Sequence, residues 1–117
     1  MQQLVTYNAL VGYEIEKSRK LAGLDQTQLA RLTGISQPVL SRLEKGKASI
    51  TVDQLFLICK ALGSKPQDVL GQVFENVVAI ESDGSVAIKS SKAADNSGMV
   101  LAGAALGAVL ALLFSRK

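Results

Sequence analysis

Apolar side chains recur at three- and four-residue intervals through the first seventy positions, then fall into alternation after Gly71. The first period belongs to helices with one buried face, the second to strands. Leu10, Val11, Ile15 and the stretch from Leu21 to Leu24 predict a helix from Thr6 or Asn8 to Ala22, ended by Gly23. Three start signals follow. Asp25-Gln26-Thr27-Gln28 and Thr51-Val52-Asp53-Gln54 both set a capping oxygen three residues before a returning amide. Ser36-Gln37-Pro38 offers a hydroxyl cap and then a proline in the first turn, where its missing N–H costs nothing. Ser64-Lys65-Pro66-Gln67 opens a short fifth helix ending near Leu70, after the fourth helix has stopped at Gly63.

Only Gly34 and Ile35 separate the second helix from the cap of the third. Two short helices joined by so brief a turn cross steeply, which is the geometry of a helix-turn-helix. Residues 8–71 are therefore expected to form an all-α, five-helix domain of that kind.

Beyond Gly71, Val78, Ile80, Val86 and Ile88 share one face of a β-hairpin if Ser82-Asp83-Gly84 is a three-residue loop. A hairpin over 72–90 needs a cover for its apolar face, since an isolated one is marginal in water. A second subunit would supply that cover, which makes the hairpin a candidate dimerisation element. Residues 91–98 read as a small polar linker. From Met99 to Phe114 no charged or strongly polar side chain occurs, and a soluble amphipathic helix should have a polar face. This 99–114 segment is expected to be a membrane helix, short for the roughly 30 Å core of a bilayer. Gly103, Gly107 and Ala111 would be its packing stripe. The expected location is the cytoplasm, at the inner membrane, as a single-pass tail-anchored protein. Burial of the same segment in an oligomer is the alternative.

Charge is uneven. Residues 1–70 hold nine Lys/Arg against six Asp/Glu, whereas residues 71–98 hold two against four. The basic N-terminal part suits a polyanionic partner. Histidine is absent and Cys59 is the single cysteine, set in an apolar run as a small buried hydrophobe. There is no intrachain disulfide, zinc-ligand spacing, nucleophile–base pair or glycine-rich phosphate loop to read. The expectation is a protein that is no enzyme and uses no metal, cofactor or small-molecule ligand.

The run from Arg19 to Lys47 resembles the repressors of lambdoid phages and the xenobiotic-response-element regulator family. Leu29-Ala30, Gly34-Ile35-Ser36, Ser41-Arg42-Leu43-Glu44 and Gly46-Lys47 fall at that family's spacing. The resemblance implies a five-helix bundle with Ile15, Leu29, Ala30, Ile35, Leu40, Leu43, Leu55 and Leu62 in its core. It also implies a structural ion pair between Arg19 and Glu44. The third helix, Ser36 to Glu44, then becomes the one that reads the major groove. Its outward residues are Gln37, Pro38, Ser41 and Arg42. Glutamine can bond adenine bidentately, arginine guanine, and serine either base or phosphate, while Pro38 is confined to a thymine methyl. Lys45 and Lys47, on the loop that crosses the DNA backbone in this family, are assigned to phosphate. So is Gln26, at the positive start of the second helix.

The function expected from these residues is a sequence-specific transcriptional regulator, a repressor, acting on double-stranded DNA as a homodimer. Two other readings stand beside it. One is a membrane-anchored scaffold whose helix-turn-helix binds a cytoskeletal filament, which would want apolar rather than polar residues on the third helix. The other is an antitoxin-type autoregulator.

Overall fold

The computed structural model describes residues 3–94 and 99–115. The chain begins with strand β1 (Gln3–Thr6) and turns directly into helix α1 (Tyr7–Leu21), where Thr6 Oγ1 accepts from Ala9 N–H at 3.0 Å. Helix α2 (Gln26–Thr33) starts at Asp25 with both halves of the expected capping box formed, and it ends on left-handed Gly34. Helix α3 (Gln37–Glu44) is capped by Ser36, with Pro38 in its first turn. Helix α4 (Val52–Leu62) repeats the capping box at Thr51 and Gln54 and stops at Gly63.

Helix α5 departs from expectation. It runs unbroken from Pro66 to Asp83, and no hairpin forms over 72–90. Val69, Val73, Asn76 and Ile80 lie on one buried face at helical spacing. That burial, together with locally satisfied backbone, outweighs the alternation of Val78 and Ile80. Gly71 is tolerated within the helix because it stands on the outer face, with open space where a Cβ would be. Gly84 does take the left-handed backbone, at φ 79°, but as the stop of this helix rather than in a hairpin loop.

Val86 and Ile88 belong to strand β2 (Val86–Lys89), whose partner is the N-terminal strand. β1 and β2 pair in parallel, with Gln3 opposite Val86 and Val5 opposite Ile88. After a single turn of helix, α6 (Ser91–Ala94), strand β3 (Met99–Val100) pairs in parallel with the other edge of β1. The sheet order is therefore β2-β1-β3. In its central strand the adjacent Leu4 and Val5, which face opposite sides of the sheet, are both almost wholly buried, so the strand is covered on both faces. Of the linker expected over 91–98, the first half is this helical turn, and 95–98 lie outside the described residues.

The last element is helix α7 (Gly103–Ser115). It corrects the membrane expectation. Its 13 residues span about 20 Å at ~1.5 Å per residue, well short of a bilayer core. Among the described residues no helix is long and apolar enough to cross a membrane. Leu106, Leu110 and Leu113 are buried, and α7 packs on α1 and α5. The helix has no polar face; its exposed side is mostly alanine, through Ala104, Ala105, Ala108 and Ala111, together with Leu112. The small-residue stripe is also interrupted. Gly107 lies against the ring of Tyr13, Gly103 takes a positive φ at the helix start, and Ala111 is exposed.

Two apolar cores result. One joins Ile15, Leu29, Ile35, Leu40, Leu43, Leu55, Ile58, Cys59 and Val69 inside the five-helix unit. Ala30 and Leu62 sit half-buried at its margin rather than within it. The other joins β1, the first turns of α1, the second half of α5, β2 and α7 through Val5, Leu10, Val73, Ile80, Val86, Leu106 and Leu110. Helix α1 serves both.

Candidate nucleic-acid interface

The turn between α2 and α3 is built from three small devices. Gly34 takes φ 75°, Thr33 Oγ1 donates to Leu29 O at 2.9 Å, and the same hydroxyl accepts from Ile35 N–H at 3.2 Å. With Ile35 in the core, the direction of α3 is set before its first turn begins.

The far end of α3 is held by charge. Arg19 Nε donates to Glu44 Oε2 at 2.8 Å and Arg19 Nη2 to Glu44 Oε1 at 3.0 Å, a fork-on-fork pair. Arg19 Nη1 also donates to Leu24 O at 2.8 Å, which ties down the link between α1 and α2. Both residues are buried, Arg19 to 7 % exposure and Glu44 to 1 %. Hydrogen bonding to Glu44 raises the Arg19 pKa further above its usual value, against the opposing effect of burial.

The network continues outward. Gln26 Nε2 donates to Glu44 Oε1 at 2.9 Å, and Gln26 Oε1 accepts from Gln37 Nε2 at 2.8 Å. A line of hydrogen bonds thus runs from buried Arg19 through Glu44 and Gln26 to exposed Gln37. The side chain of Gln26, the residue assigned to phosphate at the start of α2, bridges Glu44 and Gln37. Gln37 keeps its carbonyl oxygen and one amide hydrogen for an outside partner, the donor–acceptor pair that an adenine edge requires.

Pro38 and Arg42 are exposed along α3 and Ser41 is half-buried. The turn that follows is tight. Lys47 N–H donates to Arg42 O at 2.8 Å and Gly46 N–H to Leu43 O at 3.1 Å. Gly46 has φ 72°, and a Cβ there would meet Ala9 Cα at 2.5 Å. The exposed side chains of Lys45 and Lys47 therefore spring from a turn fixed against the start of α1. Arg42, Lys45 and Lys47 make no ion pair among the described residues.

Two supporting features escaped the sequence reading. Gly12 packs directly beneath the end of α3, where a Cβ would stand 2.2 Å from Leu43 O and 2.6 Å from Glu44 O. Its signal was a glycine inside a helical run. The other is a buried polar link, in which Asn76 Nδ2 donates to Glu14 Oε2 at 2.8 Å and Gln72 Nε2 donates to Asn76 Oδ1 at 3.1 Å. Nothing in the sequence signals it, because both residues fall in the 72–90 region expected to form a hairpin.

These elements define a helix-turn-helix domain with a polar, cation-bearing outer face. A helix-turn-helix family model, HTH_3, matches residues 15–69. An uncharacterised HTH-type transcriptional regulator of Sinorhizobium fredii, y4dJ, is 39 % identical over 54 residues, which are 46 % of this chain and 70 % of that protein. The antitoxin PezA of Streptococcus pneumoniae is 33 % identical over 63 residues, 54 % of this chain and 40 % of the antitoxin. Among solved structures, the clp gene regulator ClgR of Corynebacterium glutamicum is similar with a TM-score of 0.57 and 28 % identity, over 59 % of this chain and 90 % of that one. The chain spans less than half the length of the antitoxin it matches. It belongs to the HTH_3 family of DNA-binding transcriptional regulators, a non-enzymatic family.

Proposed function

We propose that this protein is a sequence-specific repressor that binds double-stranded DNA as a homodimer, with α3 in the major groove. The observation that carries the reading is the hydrogen-bonded line from Arg19 to Gln37, which orients an exposed glutamine amide from a buried ion pair. Gln37 and Arg42 meet base edges, Ser41 meets base or phosphate, and Pro38 offers only van der Waals contact. Lys45, Lys47 and the first turn of α2 at Gln26 meet the DNA backbone. The polar outer face of α3 favours DNA over a filament-binding scaffold, for which apolar side chains would be wanted. Likeness to the antitoxin PezA supports a second form of the same chemistry, autoregulation beside a toxin partner.

Genome-wide recovery of bound DNA, repeated with Arg42→Ala, is the test. Discrete enriched sites should appear for the parent and lose preference at one base pair in the variant. Absence of enriched sites in the parent would reject the reading.

A further inference from the structure

We propose that the cleft between α1, α5 and α7 binds a small organic cation with an apolar body, an arylalkylamine in chemical class, whose ammonium sits on Glu14. The cleft holds a cavity of about 300 Å³, room for a compact ligand. Tyr13, Leu110 and Phe114 form its apolar wall, and Glu14, Gln72 and Asn76 its polar one. A second cavity of about 420 Å³ continues towards the start of α5, and Glu14, Lys17 and Gln72 line both.

The class of ligand follows from Glu14. Its side chain is only 6 % exposed. Oε2 accepts from Asn76 Nδ2 at 2.8 Å, on a residue that is itself buried. Oε1 accepts no hydrogen bond from the described residues, and its one ion-pair contact is Lys17 Nζ at 4.0 Å. No fully enclosed side-chain oxygen or nitrogen among those residues lacks a hydrogen bond, so Oε1 is reached from the cavities that Glu14 lines. The carboxylate thus has one oxygen held in place and the other open to an occupant.

The fold itself does not need this charge. A glutamine would accept the Asn76 bond equally well, whereas burying a carboxylate is costly unless the charge is paired and hydrogen-bonded. Lys17 pairs it poorly, from beyond hydrogen-bond reach and with half of its own side chain in solvent. An ammonium bonded to Oε1 inside the cleft is the stronger partner, because a charge-assisted bond is about twice a neutral one. An anion would meet the same carboxylate as a like charge. The rings of Tyr13 and Phe114, both half-buried on the same cavity, are walls that an apolar body and a cation alike prefer.

None of Gln37, Arg42 and Lys47 lines either cavity, so binding is measured without DNA. Isothermal titration of the full chain with 2-phenylethylamine, protonated at pH 7, should show one saturable site. The neutral isostere 2-phenylethanol should bind at least about tenfold more weakly, the worth of one charge-assisted hydrogen bond. Glu14→Gln keeps an acceptor for Asn76 and should weaken the amine by about the same factor, with thermal unfolding close to that of the parent. Ala111→Trp alters an exposed residue on the wall of the cavity and should block it, which keeps the proposal testable even where Glu14→Gln disturbs folding. Absence of saturable binding to the parent, equal binding of 2-phenylethanol, or undiminished binding to Glu14→Gln or Ala111→Trp would overturn the proposal.

Discussion

Gly12 and Leu43 meet backbone to backbone: a Cβ on the glycine would lie 2.2 Å from the leucine carbonyl oxygen. The atom in the way is main chain, so no rotamer change relieves it. Gly12→Ala must push α1 and the end of α3 apart. Overpacking of this kind costs about 1–3 kcal/mol, and the upper end is expected here. Urea denaturation should show the loss, and DNA affinity should fall with it because α3 shifts on its bed.

Arg19→Ala leaves the Glu44 carboxylate buried at 1 % exposure with only Gln26 to bond it. Breaking one side of a buried pair costs about 3–5 kcal/mol, whereas replacing both sides with apolar residues can be near neutral. Arg19→Met with Glu44→Leu should therefore recover most of the stability lost by Arg19→Ala alone. DNA binding should not recover with it, because the line that orients Gln37 is gone. Thermal melts and electrophoretic shifts on the same three proteins separate the two effects.

Leu106→Ala tests whether α7 belongs to the fold. A wholly buried leucine cut to alanine costs about 2–5 kcal/mol, whereas a leucine on a detached tail costs almost nothing. The large loss is expected, read as a lower urea midpoint.

Burial pushes the Cys59 thiol up, so the folded chain keeps a proton that the unfolded chain releases near ~8.5. Its contribution to stability is whole below that pH and declines as pH rises toward the folded thiol's higher value. Urea midpoints at pH 7 and pH 9.5 should therefore differ less in Cys59→Ala than in the parent.

Lys47→Ala should weaken binding to all DNA sequences alike and reduce the slope of log affinity against log salt by about 1. Arg42→Ala should cost about 1–3 kcal/mol at the preferred site and relax one base pair. Titrations on matched and mismatched duplexes at several salt concentrations distinguish a phosphate contact from a base contact.

The five-helix unit was legible because its information is local. Asp25, Ser36 and Thr51 announce helix starts, and Gly34 and Gly63 announce stops, each within a few residues of its effect. The C-terminal third was not, because its decisive contacts are remote. Val86 and Ile88 have strand chemistry, but nothing near them names Gln3 and Val5 as their partners. Val78 and Ile80 fit a strand alternation as well as a helix, and only the burial of Ile80 in the second core settles between them. The apolar segment after Met99 misled for the same reason. An alanine-rich exposed face and a membrane face have the same composition, and the difference lies in what α1 and α5 present to Leu106 and Leu110.

The parallel sheet imposes an order of events. β1 is synthesised before both strands that pair with it, since each of its hydrogen-bonding edges is filled by a strand from beyond residue 85. Helices α1 to α4 can close their own core as soon as the start of α5 is available. Until residue 89 has been made β1 offers two open edges, and until residue 100 it still offers one, beside a half-built second core; such exposed strand edges are where nascent chains aggregate. The helix-turn-helix can thus be assembled well before the chain is safe from its neighbours.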